Sequence, residues 1–193
     1  LRDSIKKNHS ATHLLHAALR NNLGNHVAQR GSLVNEEKLR FDFSHNKQIS
    51  KQQIKEIQKE VNNVIANSFK TDISIKSQED AIQQGAMALF GEKYGDEVRV
   101  VTLGSIENKP YSIELCGGTH VDNVLDINKF QIISEESVSS GVRRIEACTD
   151  NNVEIFNNKL AIEKNNLEKK QDDLIKHFIN QIDKLGGSVT FKE

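Results

Sequence analysis

Apolar positions along the first half of the chain follow two alternating rhythms. Over residues 9–23, Ala11, Leu14, Leu15, Ala18, Leu19 and Leu23 recur at helical spacing, and Gly24 is a natural stop. Over residues 38–44 the period falls to two, with Leu39, Phe41 and Phe43 alternating with Arg40, Asp42 and Ser44. That is a strand. A second strand over 27–34 is expected to pair with it through Asn35-Glu36-Glu37. Ser50 followed by Gln53 has the form of a capping box, and the helix it opens carries Ile54, Ile57, Val61, Val64 and Ile65 on one face. Short strands follow near 72–77, 97–103, 111–115, 129–134 and 142–148, with a shorter helix over 79–87. The pattern predicts an α+β fold, a mostly antiparallel sheet packed with helices.

The texture changes after Asp150. Residues 153–185 lack proline and glycine, and Ile155, Phe156, Leu160, Leu167, Leu174, Phe178, Ile182 and Leu185 recur at roughly helical steps among many charges. Glu163 and Lys170 interrupt the heptad, so the segment reads as one long, solvated helix, with a coiled-coil contact as the sharper alternative. Gly186-Gly187 end it. The expected organisation is a domain over 1–150, a helical linker over 151–187, and the start of a further domain over 188–193. With no initiator Met at position 1, the sequence reads as part of a longer chain.

Composition narrows the setting more than the function. Of the 193 residues, 36% are hydrophobic and 27% charged, with a net charge of -1. Any nucleic-acid surface must therefore be a local basic patch. Arg143-Arg144 and Lys6-Lys7 are the best such pairs, although a solvated charge pair is the plainer reading of Lys6-Lys7. Strand alternation puts Arg143 and Arg144 on opposite faces, so only one is expected to point outward. No apolar run suits a membrane span or a signal peptide, and cytoplasm is the expected compartment. Two cysteines are too few for a disulfide scaffold.

The chemistry lies in two short motifs. His9-Ser10-Ala11-Thr12-His13 places two imidazoles four residues apart on one helical face. Cys116-Gly117-Gly118-Thr119-His120 places a thiolate and an imidazole on a turn that its glycines allow. Each half is weak evidence alone. Together they offer three nitrogens and one sulfur, a normal tetrahedral zinc set between the first helix and a CxxxH loop. Spacing leaves open which two of His9, His13 and His16 take part. His26, His45 and His177 have no partner spacing and read as surface or loop residues.

These motifs resemble those of the alanyl-tRNA synthetase editing family. Its HxxxH/CxxxH framework is shared with threonyl-tRNA synthetase and free-standing AlaX proteins. The flanking text narrows the likeness to the bacterial alanyl form: NHSATHLLHAAL from Asn8, QRGSLV from Gln29, LRFDFSH from Leu39, ELCGGTH from Glu114 and GVRRIEA from Gly141. The likeness covers about residues 1–150. It implies that His9, His13, Cys116 and His120 hold Zn2+, leaving His16 a packing or supporting role, and that Gln29 belongs to the editing pocket. It also implies an aminoacyl-tRNA deacylase that removes serine or glycine from mischarged tRNA(Ala), working beside the remaining domains of a synthetase. A free-standing deacylase and a non-catalytic zinc-stabilised RNA-binding module are the alternatives. No Asp or Glu lies inside either motif as a general base, so backbone groups or the tRNA's own terminal hydroxyl are the expected activators of water.

Overall fold

The computed structural model describes residues 1–87, 95–107 and 109–190. Its order is α1 (Arg2–Leu23), β1 (Gln29–Val34), β2 (Leu39–Ser44), α2 (Lys51–Ala66), β3 (Asp72–Ser77), α3 (Gln78–Gln83), β4 (Glu97–Ile106), β5 (Lys109–Leu115), β6 (Phe130–Ser139), β7 (Val142–Thr149) and α4 (Asn151–Lys184). A single 3-10 turn, Val124–Ile127, lies between β5 and β6. The chain divides into two compact units, Leu1–Val153 and the residues from Glu154 onward.

The α+β expectation holds, with one refinement. The strands form two sheets, β1-β2-β7-β6 and β3-β4-β5, and every pairing of named strands is antiparallel. The split follows from the stretch between β5 and β6. It carries the CxxxH loop and the 3-10 turn, and β6 emerges beside β7 rather than beside β5.

Helix α1 lies among these elements and packs on α2, on β1, β2 and β7, and on β4 and β5. Burial therefore runs nearly all round it from Asn8 to Leu19, with His9 the half-buried exception. Ala11, Leu14, Leu15, Ala18 and Leu19 join Phe41, Phe43, Val61, Val101, Leu103 and Ile145 in one core. Helix α2 begins as the sequence predicts. Ser50 Oγ accepts the Gln53 N–H at 3.2 Å, and Gln53 Oε1 accepts the Ser50 N–H at 3.0 Å. Its buried face is Ile57, Val61, Val64 and Ile65.

Gly104 is where both helices close on β4. Its φ is +74°, and a Cβ there would lie 2.4 Å from Val64 Cγ1 and 3.5 Å from Leu14 Cδ2. Only glycine takes both that backbone conformation and that contact.

Element ends differ from expectation where side chains claim the backbone. The strand expected over 27–34 starts at Gln29, because Arg20 Nη1 takes the carbonyls of Asn25 and Val27 at 3.0 and 2.8 Å. Helix α3 is shorter than expected. Ser77 caps it, accepting the Asp80 N–H at 3.0 Å, and Gly85 follows its end with φ +84°. Helix α4 is the long helix expected, with Val153 its one buried residue. Ile155, Leu160, Leu167, Leu174 and Phe178 are exposed along it. The final strand expected over 188–193 falls partly outside the described residues, and 188–190 have no regular structure.

Two outcomes check this account. Ser50→Ala should lower unfolding free energy by about 1 kcal/mol in urea titration, the usual value of an N-cap. Gly104→Ala should lower it by about 2 kcal/mol or more, since overpacking and a positive φ act together.

Candidate metal centre

His9 and His13 reach one point because α1 repeats its face every four residues, and the loop after β5 brings the other donors to it. The candidate donor atoms of His9, His13, Cys116 and His120 all lie within 4.8 Å of one another. His9 Nε2 is 3.6 Å from Cys116 Sγ, and His120 Nε2 is 3.4 Å from it. The His9 and His120 rings stack at 4.3 Å, with His13 edge-on to His120 at 4.8 Å. His16 stays outside this cluster, so the choice that spacing left open falls on His9 and His13.

The loop is shaped to admit His9. A Cβ on Gly118 would sit 2.2 Å from His9 Cε1. Arg99 fixes the turn from β4, donating through Nη1 to the carbonyls of Cys116 and Gly118 at 2.6 and 2.8 Å. The Gly118 N–H in turn approaches Cys116 Sγ at 3.4 Å.

A second layer of contacts sets which ring nitrogen is free. His9 Nδ1 lies 3.1 Å from the Thr119 carbonyl, which can only accept. His120 Nδ1 lies 3.1 Å from Ser10 Oγ, which also receives the Val121 N–H at 3.1 Å. The Thr119 carbonyl thus takes a proton from His9 Nδ1, the Ser10 hydroxyl holds His120 from its Nδ1 side, and both rings turn Nε2 toward Cys116. Metal-bound histidines are commonly held this way. Glu114 Oε2 is 3.0 Å from His13 Nδ1, off the line of an ideal ring N–H bond but close enough to act as its countercharge.

Electrostatics divide the four groups. Burial alone would raise the Cys116 thiol, but hydrogen bonds from His120, His13 and His9 outweigh it and hold the thiol down to about 3. Burial disfavours charge on His120 and takes it down to about 4. Burial likewise opposes charge on His13, but the Glu114 carboxylate prevails and raises it to about 10, so His13 must give up a proton to bind a metal. A thiolate with imidazole rings turned toward it fits a metal ion, which would displace the ring protons shared with the sulfur.

A small cavity of about 90 Å³ adjoins the cluster, lined among others by Gln29, Ser32, Phe41, His16 and Glu114. Gln29, singled out from sequence, therefore stands beside the donors. Glu114 escaped sequence reasoning. It is 4% exposed, and its oxygens face His13, His16 and Ser112. Its signal was the alternation of β5, where Ser112 and Glu114 share the buried face, but alternation alone does not say which face is inward.

Other predicted residues lie apart. Both guanidiniums of the basic pair are engaged, not one: Arg143 Nε donates to Glu135 at 2.5 Å, and Arg144 grips Asp42 with two bonds of 2.7 and 2.8 Å. Lys7 bonds Asp150 at 2.6 Å. His26 and His45 sit in loops, as the sequence suggests, and there they pair with each other at 2.8 Å. Their contact spans two loops and has no local signature.

Residues 98–146 match the family described as the threonyl and alanyl tRNA synthetase second additional domain. Over 148 residues the chain is 57% identical to alanine–tRNA ligase of Sphingopyxis alaskensis, covering 77% of this chain and 17% of the relative. It is 55% identical over 152 residues to that of Parvibaculum lavamentivorans, with the same coverages. To that of Pseudoalteromonas translucida it is 55% identical over 148 residues, 77% of this chain and 16% of the relative. The resemblance to the alanyl-tRNA synthetase family stands. The chain spans about one sixth of the length of these relatives.

Ser10→Ala should weaken metal affinity by about 10–100-fold in a chelator competition, because His120 loses the group that orients it. At Asp42, the Arg144 guanidinium holds the carboxyl below its usual range. A depressed folded-state value gives stability that is present above the unfolded value, about 3.9, and is lost as pH falls through the lower folded one. The stability gap between wild type and Asp42→Asn should therefore be widest near neutrality and shrink below about pH 4, measured by denaturant titration at each pH.

Proposed function

We propose that this chain is the proofreading segment of an alanine–tRNA ligase, a deacylase that hydrolyses Ser-tRNA(Ala) and Gly-tRNA(Ala). The observation that carries this reading is the four-donor cluster opening on a small cavity that Gln29 also lines. The need for such a site is physical. A synthetic pocket built for alanine's methyl cannot exclude glycine sterically, and one missing methylene is worth only about 1–3 kcal/mol. It also rejects an added hydroxyl poorly. A second, hydrolytic site can prefer serine by bonding its hydroxyl, since alanine would leave those buried groups unpaired.

Zn2+ is the ion we assign to His9, His13, Cys116 and His120. Four protein donors fill a tetrahedral shell, so the ion would brace the pocket and supply local positive charge. Gln29 is the proposed contact for the aminoacyl side chain. The partner is tRNA(Ala), with the remaining synthetase domains. Contact with phosphate at Arg143 or Arg144 belongs to the proposal, and there the phosphate would compete with Glu135 and Asp42. A cytoplasmic location goes with this reading; among the described residues no helix is long and apolar enough to cross a membrane.

Incubation with Ser-tRNA(Ala) should release serine, while Ala-tRNA(Ala) stays charged. Cys116→Ala should lose both bound zinc and release. Binding of Ser-tRNA(Ala) without release would instead make the chain a zinc-braced RNA-binding module, and full activity in a zinc-free variant would remove the ion from the proposal.

A further inference from the structure

His16 is a buried imidazole with one nitrogen committed and one open. It is 5% exposed. Its Nδ1 lies 3.0 Å from Glu114 Oε1, and no described protein group pairs with its Nε2. The ring packs on Phe41 at 5.2 Å and lines the cavity beside the metal centre. An unpaired buried polar atom costs about 1–3 kcal/mol, so a native structure that keeps one calls for an explanation.

The other groups at the cavity cannot take a proton so readily. His9, His13 and Cys116 belong to the donor cluster. Both Glu114 oxygens face imidazole nitrogens. Thr12 Oγ1 donates to the Asn8 carbonyl at 2.9 Å, and a hydroxyl is no base near neutral pH. A ring nitrogen aimed by a carboxylate on its far side is the arrangement that makes histidine a base.

We propose that His16 is the general base of the deacylation, a role that rests on the hydrolytic reading above. With Nδ1–H held by Glu114, Nε2 takes a proton from a water in the cavity. The water oxygen bonds to the carbonyl carbon of the aminoacyl ester as its O–H bond breaks. The tetrahedral intermediate then collapses, breaking the bond from that carbon to the ribose oxygen. The ribose oxygen recovers the proton from the imidazolium. Free amino acid and uncharged tRNA leave, and His16 is neutral again. Glu114, 3.0 Å from Nδ1, keeps the ring oriented and faces the transient positive charge. This supplies a base that neither motif contains.

The test uses the full chain with Ser-tRNA(Ala) and follows kcat, KM, bound zinc and melting temperature. His16→Gln keeps a polar side chain of similar reach but cannot act as the base. It should lower kcat by about 10²–10⁴-fold, with zinc retained and KM changed by less than about threefold. His16→Ala should regain at least about tenfold in free imidazole, relative to wild type in the same buffer, whereas Cys116→Ala should not. A His16→Gln enzyme at near wild-type kcat overturns the proposal. So does loss of activity together with zinc or fold and without imidazole rescue, which would make His16 a packing residue. Failure of the wild type itself to release serine would strike at the hydrolytic reading instead, and the two failures are thereby distinguishable.

Discussion

The structure depends on a helix buried on almost every side that is nonetheless rich in polar groups. Between Asn8 and Leu19, α1 carries Asn8, Ser10, Thr12, His13 and His16 into the interior. Left unpaired, each would cost about 1–3 kcal/mol, enough together to erase the stability of a domain this size. Each side chain meets a polar group from another element or from its own turn through at least one atom, with His16 Nε2 left open. Asn8 donates to the Asn35 carbonyl at 2.9 Å and accepts from Thr149 at 2.8 Å. Ser10 receives the Val121 N–H, and Glu114 answers both His13 and His16. The leucines of α1 fix its place, and the polar residues fix its register.

The same pairing makes the site and the fold hard to separate. Arg99 reaches from β4 to hold the Cys116 turn, Gly118 leaves room for His9, and Ser10 orients His120. None of these touches would be needed merely to build a core. They serve to turn two ring nitrogens toward one thiolate. Glu114 then links the donor cluster to the cavity by facing His13 through one oxygen and His16 through the other, so the charge on one carboxylate bears on both.

How much of this was legible in the sequence depends on the range of each contact. The His9–His13 spacing, the Cys116–His120 turn and the Ser50–Gln53 cap are local, and local geometry dictates them. The α+β class and most strands follow from periodicity. The split into two sheets was not legible, because it is decided by which neighbour β6 meets. Glu114 was visible as a letter but not as a partner, since period two does not say which side faces the core. The pairing of His26 with His45 and the engagement of both Arg143 and Arg144 are likewise tertiary. Element ends slipped where Arg20 and Ser77 compete for the backbone.

The bond from Lys7 to Asp150 joins residues 143 positions apart, and the contacts of His9 and Ser10 with the CxxxH loop each span 110. Contacts so distant along the chain form late, because loop closure must come before they can repay it. During synthesis at about 5–20 residues per second, the first helix would wait several seconds for the strand and loop that complete it. Through that interval its polar and apolar faces have no native partners, and two of the four donors do not yet exist. Ion capture would then be among the last events in this unit's maturation, and a ribosome stalled before residue 120 would hold a helix that cannot close its site.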